Sequence, residues 1–88
     1  MMETRYIPVS GGPSRAAVPM KVSFTDNKIV CEVWLPVVPK QYWEQPIEWI
    51  RQQVPELSSG HWGFYKQYDN ESGILVVSFR PYAPQVTY

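Results

Sequence analysis

The sequence predicts an α+β domain, an antiparallel β-sheet built from two hairpins with one main helix packed on one face. Three observations carry that expectation. Residues alternate between apolar and polar on both sides of Asp26-Asn27, and a second alternating pair of segments flanks the turn at 69–73. Between them, Trp43, Ile47, Ile50 and Val54 recur at helical spacing and stop at Pro55. Two hairpins flanking one helix leave a sheet with one covered face and one open face.

In chain order, Arg5-Tyr6-Ile7-Pro8-Val9 reads as a short extended piece. Pro8 lacks an N–H, so a strand here lies at an edge or ends early. Ser10 to Ala17 is a loop by its glycines, proline and serines. In Met20–Thr25, Met20, Val22 and Phe24 alternate with Lys21, Ser23 and Thr25. In Lys28–Leu35, Ile29, Cys31, Val33 and Leu35 alternate with Lys28, Val30, Glu32 and Trp34. Asp and Asn tolerate the left-handed backbone of a tight turn, which sets the hairpin. Its expected core face is Val22, Phe24, Ile29, Cys31, Val33 and Leu35, with Trp34 opposite.

Pro36 and Pro39 end the strand, and Pro46 suits a first helical turn, where its missing N–H costs nothing. The stripe Trp43, Ile47, Ile50, Val54 is the expected buried side, with Trp49 off it. Pro55 stops the helix, because a residue before proline is pushed out of the α region. After a loop at 56–60, Trp62, Phe64, Lys66 and Tyr68 share one face of a strand, and His61, Gly63, Tyr65 and Gln67 share the other. Ile74 to Arg80 returns with Leu75, Val77 and Phe79 on one side. The order is thus strand, strand, strand, helix, strand, strand. The 88 residues form a single domain: an irregular N-terminal arm, 1–19, with room for a short edge strand; a β-β-α-β-β core, 20–80; and an extended proline-bearing tail, 81–88.

Composition narrows the function. Formal charge is zero, which argues against a partner recruited by bulk electrostatics, such as duplex nucleic acid or an anionic membrane. One cysteine builds no disulfide framework within the chain. The start has no apolar signal region, and no stretch approaches the ~18 apolar residues of a membrane span, so a reducing cytoplasm is the expected setting.

Catalytic groups are scarce. Cys31 and His61 stand alone as cysteine and histidine, without zinc-ligand spacing. Glu44, Glu48 and His61 can be drawn as a carboxylate-rich metal set. A solvated helix face, with Glu48 near Arg51 at i+3, accounts for the same residues. Cys31 with His61 is the only cysteine–histidine pair for nucleophilic catalysis, but Cys31 falls on the apolar alternation and reads as a small buried hydrophobe. Ser58 and Ser59 adjoin His61 without forming a catalytic geometry. The stretch Ser10-Gly11-Gly12-Pro13-Ser14-Arg15 lacks the lysine of a phosphate loop. No catalytic residue, metal site or cofactor is expected.

Aromatics are abundant instead, with four Trp, six Tyr and three Phe. Interface hot spots favour Trp, Tyr and Arg. The expected function is therefore non-catalytic protein binding, to a larger protein that it inhibits or modulates or to a second copy of itself. The expected partner-binding residues are Trp34, Trp49, Tyr65 and Tyr82. An open face bearing Val30 and Trp34 is too apolar to be merely solvated. Two alternatives remain. Tyr65, Tyr68, Lys66, Trp62 and Arg80 suit single-stranded nucleic acid on an aromatic sheet face, although the aromatic-rich ribonucleoprotein motif is absent. A small enzyme, or an enzyme subunit with a site formed between chains, is the other. In size, aromatic load and scarcity of catalytic groups the chain resembles small phage-borne or mobile-element accessory proteins. Many of those bind and block a host protein. The resemblance rests on no particular residues and transfers no site.

Overall fold

The computed structural model describes residues 2–9 and 18–81. Five strands, β1 (Glu3–Ile7), β2 (Met20–Phe24), β3 (Ile29–Trp34), β4 (Trp62–Tyr68) and β5 (Ile74–Pro81), form one antiparallel sheet in the order β1-β2-β3-β5-β4. One α-helix, α1 (Pro46–Gln53), joins the two halves of the chain. The class is α+β. β1 adds to β2, so among the described residues β1 and β4 are the two edges of the sheet.

Local chemistry sets the boundaries. β1 stops directly before Pro8. The β2–β3 turn closes with Thr25 N–H donating to Lys28 O at 2.9 Å. β3 ends one residue earlier than the alternation predicts. Pro36 converts Leu35–Val37 into a single 3-10 turn, and Leu35 is only half-buried. Gly73, at φ +76°, closes the β4–β5 turn by donating its N–H to Asp69 O at 2.8 Å. Pro81 costs the sheet no bond, since the β3–β5 ladder ends at Ile29 and Phe79.

The register carries rows of side chains across the sheet. On one face Lys66, Val77, Cys31, Val22 and Arg5 are successive neighbours, and Phe64, Phe79, Ile29, Phe24 and Glu3 form the adjacent row. The middle of these rows is buried. Val22, Ile29, Cys31, Val33, Leu75, Val77 and Phe79 share one core cluster with Ile47, Trp49, Ile50, Val54 and Leu57 of the helical segment. At the β1 end the rows close with Arg5, whose guanidinium stacks 4.4 Å from the Phe24 ring centroid and pairs with Glu56 at 2.7 Å.

The helix differs from the expected stripe in two ways. It begins at Pro46, so Trp43 lies outside it, and that ring is 38% exposed. Trp43 is held instead by its indole N–H, which donates to Val38 O at 2.7 Å. Trp49, expected off the stripe, is 4% exposed and belongs to the core. In a helix of eight residues, Pro46, Ile47, Trp49 and Ile50 all face inward. At 100° per residue they span roughly 160°, wider than a coiled-coil seam, and Ile47, Trp49 and Ile50 belong to the same core cluster as residues of the sheet.

Candidate functional site

The open face of the sheet is more polar than expected. One row across it reads Tyr65, Ser78, Val30, Ser23, Thr4, and the next reads Gln67, Val76, Glu32, Lys21, Tyr6. Lys21 and Glu32 approach to 3.8 Å there. Hydroxyls, an amide and an ion pair solvate this face, so Val30 and Trp34 do not make it an apolar patch.

The exposed rings concentrate at β4 instead. Phe64 is 51% exposed, Tyr65 66% and Tyr68 48%. Phe64 and Tyr68 lie on the same face as the core, but outside the core cluster. Phe64 meets only the edge of that core, with its ring centroid 6.3 Å from that of Phe79. Between β4 and the segment 43–51 runs a two-part cleft. The first part, about 320 Å³, is lined by Leu35, Trp43, Pro46, Lys66, Tyr68 and Leu75. The second, about 280 Å³, shares Pro46 and Lys66 and is bordered by Glu44, Glu48, Arg51 and Phe64. Arg51 bridges its walls, donating from Nη2 to Trp62 O at 3.3 Å, while its Nε is enclosed without a hydrogen-bond partner among the described residues. Trp62 is fixed by its indole N–H on Ser59 O at 2.9 Å.

β4 is also an edge in the hydrogen-bonding sense. Asp69 N–H donates to Ile74 O at 3.0 Å and Asp69 O accepts from Gly73 N–H, so Asp69 directs its backbone at β5. Alternation then turns the backbone groups of Trp62, Phe64, Lys66 and Tyr68 outward, away from β5. Among the described residues no strand pairs with them.

The four residues expected to bind a partner do not converge. Tyr65 is exposed on the open face. Trp34 shares that face, but in the row of Ile74, four residues along the strands from the row of Tyr65, about 13 Å away. Its half-buried indole packs over Gly73, with Nε1 3.0 Å from where a Cβ would stand. Trp49 is in the core, and Tyr82 lies outside the described residues. The loop at 10–17 and the tail at 82–88 also lie outside them. Phe64 and Trp43, not among the expected binding residues, and Tyr68, expected only for the nucleic-acid alternative, provide the exposed ring surface at the cleft. Lys66 was the available signal. A lysine between Phe64 and Tyr68 on the same face means that this end of the face is not sealed.

Cys31 is buried, and burial pushes its thiol up to about 12. His61 sits on an exposed loop. Among the described residues no three His, Cys, Asp or Glu side chains gather as a metal set. A wider depression of about 630 Å³ at the β4–β5 turn includes Asp69 and Ser72. The Asp69 carboxylate accepts from Ser72 Oγ at 2.9 Å and from Glu71 N–H at 3.1 Å, which lowers its pKa and commits it to the turn. Among the described residues no helix is long and apolar enough to cross a membrane. No protein-family model matches the chain, and neither the curated proteins nor the solved structures yield a significant match.

Proposed function

We propose that this chain is a non-catalytic protein-binding module whose contact surface is the outer edge of β4 with the aromatic cleft beside it. The observation that carries this reading is the coincidence of two features on one strand. Outward backbone donors and acceptors run along the seven residues of β4, beside exposed Phe64, Tyr65 and Tyr68. Strand addition draws affinity from such a backbone edge and specificity from the side chains beside it. The surface suits modulation of a larger protein or self-association. Trp49 has no place in it, and Trp34 supports the β4–β5 turn from the opposite face.

A photo-activated cross-linking side chain at position 64, compared with one at position 4 on the opposite edge, tests the reading in extract from the native host. Protein adducts that form at 64 and not at 4 support it. Adducts at neither position, or equally at both, remove it.

A second reading draws on a hollow of about 370 Å³ on the open face, where Lys28 and Arg80 flank Tyr65 and Ser78. Two cations beside an exposed ring suit a phosphate and a stacked base of a single strand. Oligonucleotide binding that weakens steeply with salt and is lost in Arg80→Ala would favour it.

A further inference from the structure

We infer that the occupant of the β4 edge is a second copy of this chain, paired antiparallel about a two-fold axis at Tyr65. The inference rests on the reading of β4 as a binding edge, and it adds the partner and the register.

The register follows from the strand itself. A two-fold axis through Tyr65 sets Phe64 opposite the partner's Lys66 and Trp62 opposite the partner's Tyr68. All four are residues whose backbone groups point outward, so the whole of Trp62–Tyr68 enters one ladder. Trp62 O keeps its bond from Arg51, since a carbonyl has a second lone pair. An axis through Lys66 would set two lysines against each other, which is unfavourable, and would leave Trp62 unpaired. An axis through Phe64 would leave Tyr68 without a partner strand. An axis between two residues would match outward groups with inward ones and form no ladder.

The side chains agree with the Tyr65 register. The partner's Lys66 arrives beside Phe64, over the part of the cleft bordered by Glu44 and Glu48. That cleft also holds the chain's own Lys66 and Arg51, so the incoming ammonium joins two cations in facing the two carboxylates, and it gains the flank of a ring. The partner's Tyr68 comes beside Trp62 as an aromatic cross-strand pair. On the open face the two Tyr65 rings adjoin, because theirs is the narrow, non-hydrogen-bonded position, with Cα atoms about 4.5 Å apart. The exposed parts of Phe64, Tyr65 and Tyr68 supply on the order of 300 Å² per protomer. Both copies together reach about half of the ~1,200 Å² at the lower end of stable interfaces, with strand backbone and the stem of Lys66 adding to it. A micromolar dimer is the expected strength.

Sedimentation of the full chain and register-specific cysteine cross-linking test this together. The unaltered chain should pass from monomer to dimer between about 1 and 500 μM, the range of a weak, standard-to-small interface. Tyr65→Cys should oxidise to a covalent dimer, since the Cα spacing at the axis fits a disulfide. Gln67→Cys should not, because Gln67 faces the partner's Gly63 and the two engineered thiols are separated by several residues of strand. Lys66→Glu should weaken dimerisation at least tenfold, and Glu44→Lys with Glu48→Lys should restore it in that background. A chain that stays monomeric across the range overturns the inference, as does equal cross-linking at 65 and 67. If the chain stays monomeric while the side chain at position 64 still cross-links to a different protein, the second copy is refuted and the binding edge survives. Absence of both fails the two readings together.

Discussion

Gly73→Ala isolates a contact that ties the open face to the β4–β5 turn. Gly73 has φ +76°, and a Cβ built there would lie 3.0 Å from Trp34 Nε1 and 3.3 Å from Cδ1. The left-handed conformation costs an L-residue about 1–2 kcal/mol. Moving the Trp34 indole off its preferred rotamer adds about 0.5–1.5 kcal/mol. A total of roughly 1.5–3.5 kcal/mol follows from these two terms. Gly60→Ala supplies the control, because φ there is +83° but the nearest side-chain atom, Trp62 Nε1, is 3.8 Å away. It should show the conformational part alone, about 1–2 kcal/mol. Urea titration read at constant slope measures both. In a Trp34→Ala background the cost of Gly73→Ala should fall to that of Gly60→Ala, since the ring it displaces is gone. A Gly73→Ala cost no larger than that of Gly60→Ala, or one unchanged by removing Trp34, would refute the clamp and return Trp34 to the set of free surface rings.

Two further outcomes test the core. Ile50→Ala should destabilise by about 2–5 kcal/mol, since Ile50 is wholly buried, whereas Arg51→Ala should cost about 1 kcal/mol through its bond to Trp62 O; equal losses in urea titration would place the helix on the wrong face. Cys31 should react slowly with a thiol reagent in the native state and fast in denaturant. Its folded thiol titrates near 12 against an ordinary 9.0, so the stability it contributes is intact below pH 9 and is lost as pH rises towards 12. Cys31→Ala should flatten that alkaline decline, and an identical pH profile in the two proteins would refute the burial argument.

The α+β class and the antiparallel pairing of β2 with β3 were legible because alternation has a fixed period and each residue's face follows from it. Trp49 was not legible. A stripe read at three-and-four spacing assumes a narrow helical contact, and the helix of this chain presents a broad one. The surface was misplaced for a related reason. Alternation separates the two faces of a strand but does not say how much of each face the rest of the chain covers, so it put Phe64 and Tyr68 on one face without showing that they are exposed there. Trp34, on the opposite face, read as exposed, although its cover is the turn at Gly73. Strand order supplies what alternation lacks, and strand order depends on contacts distant in sequence.

The breadth of the sheet explains why β4 is left bare by the described residues. Five strands spaced by about 4.8 Å are about 19 Å across, and one helix is about 10 Å across with its side chains. The helix cannot roof both edges. At β1 the deficit is met by chemistry: the strand has five residues, ends at Pro8, and carries Arg5 folded over Phe24 and tied to Glu56. Short length, proline and charge are the usual means of making an edge unattractive to other strands. β4 has seven residues, no proline and one charge, Lys66, facing inward. An inward lysine commonly discourages pairing, but here the carboxylates of Glu44 and Glu48 border the same cleft. In the proposed dimer Lys66 would act as a selector of register. It penalises an axis through itself and favours the axis one residue away, where the partner's Lys66 reaches those carboxylates. Pairing through β4 would consume the open edge of each copy and leave only the two blunted β1 edges outside. An assembly built this way closes at two and does not grow into a filament. A concentration series that continued past the dimer to larger species would show that the β1 edge is not blunted and that Arg5 does not guard it.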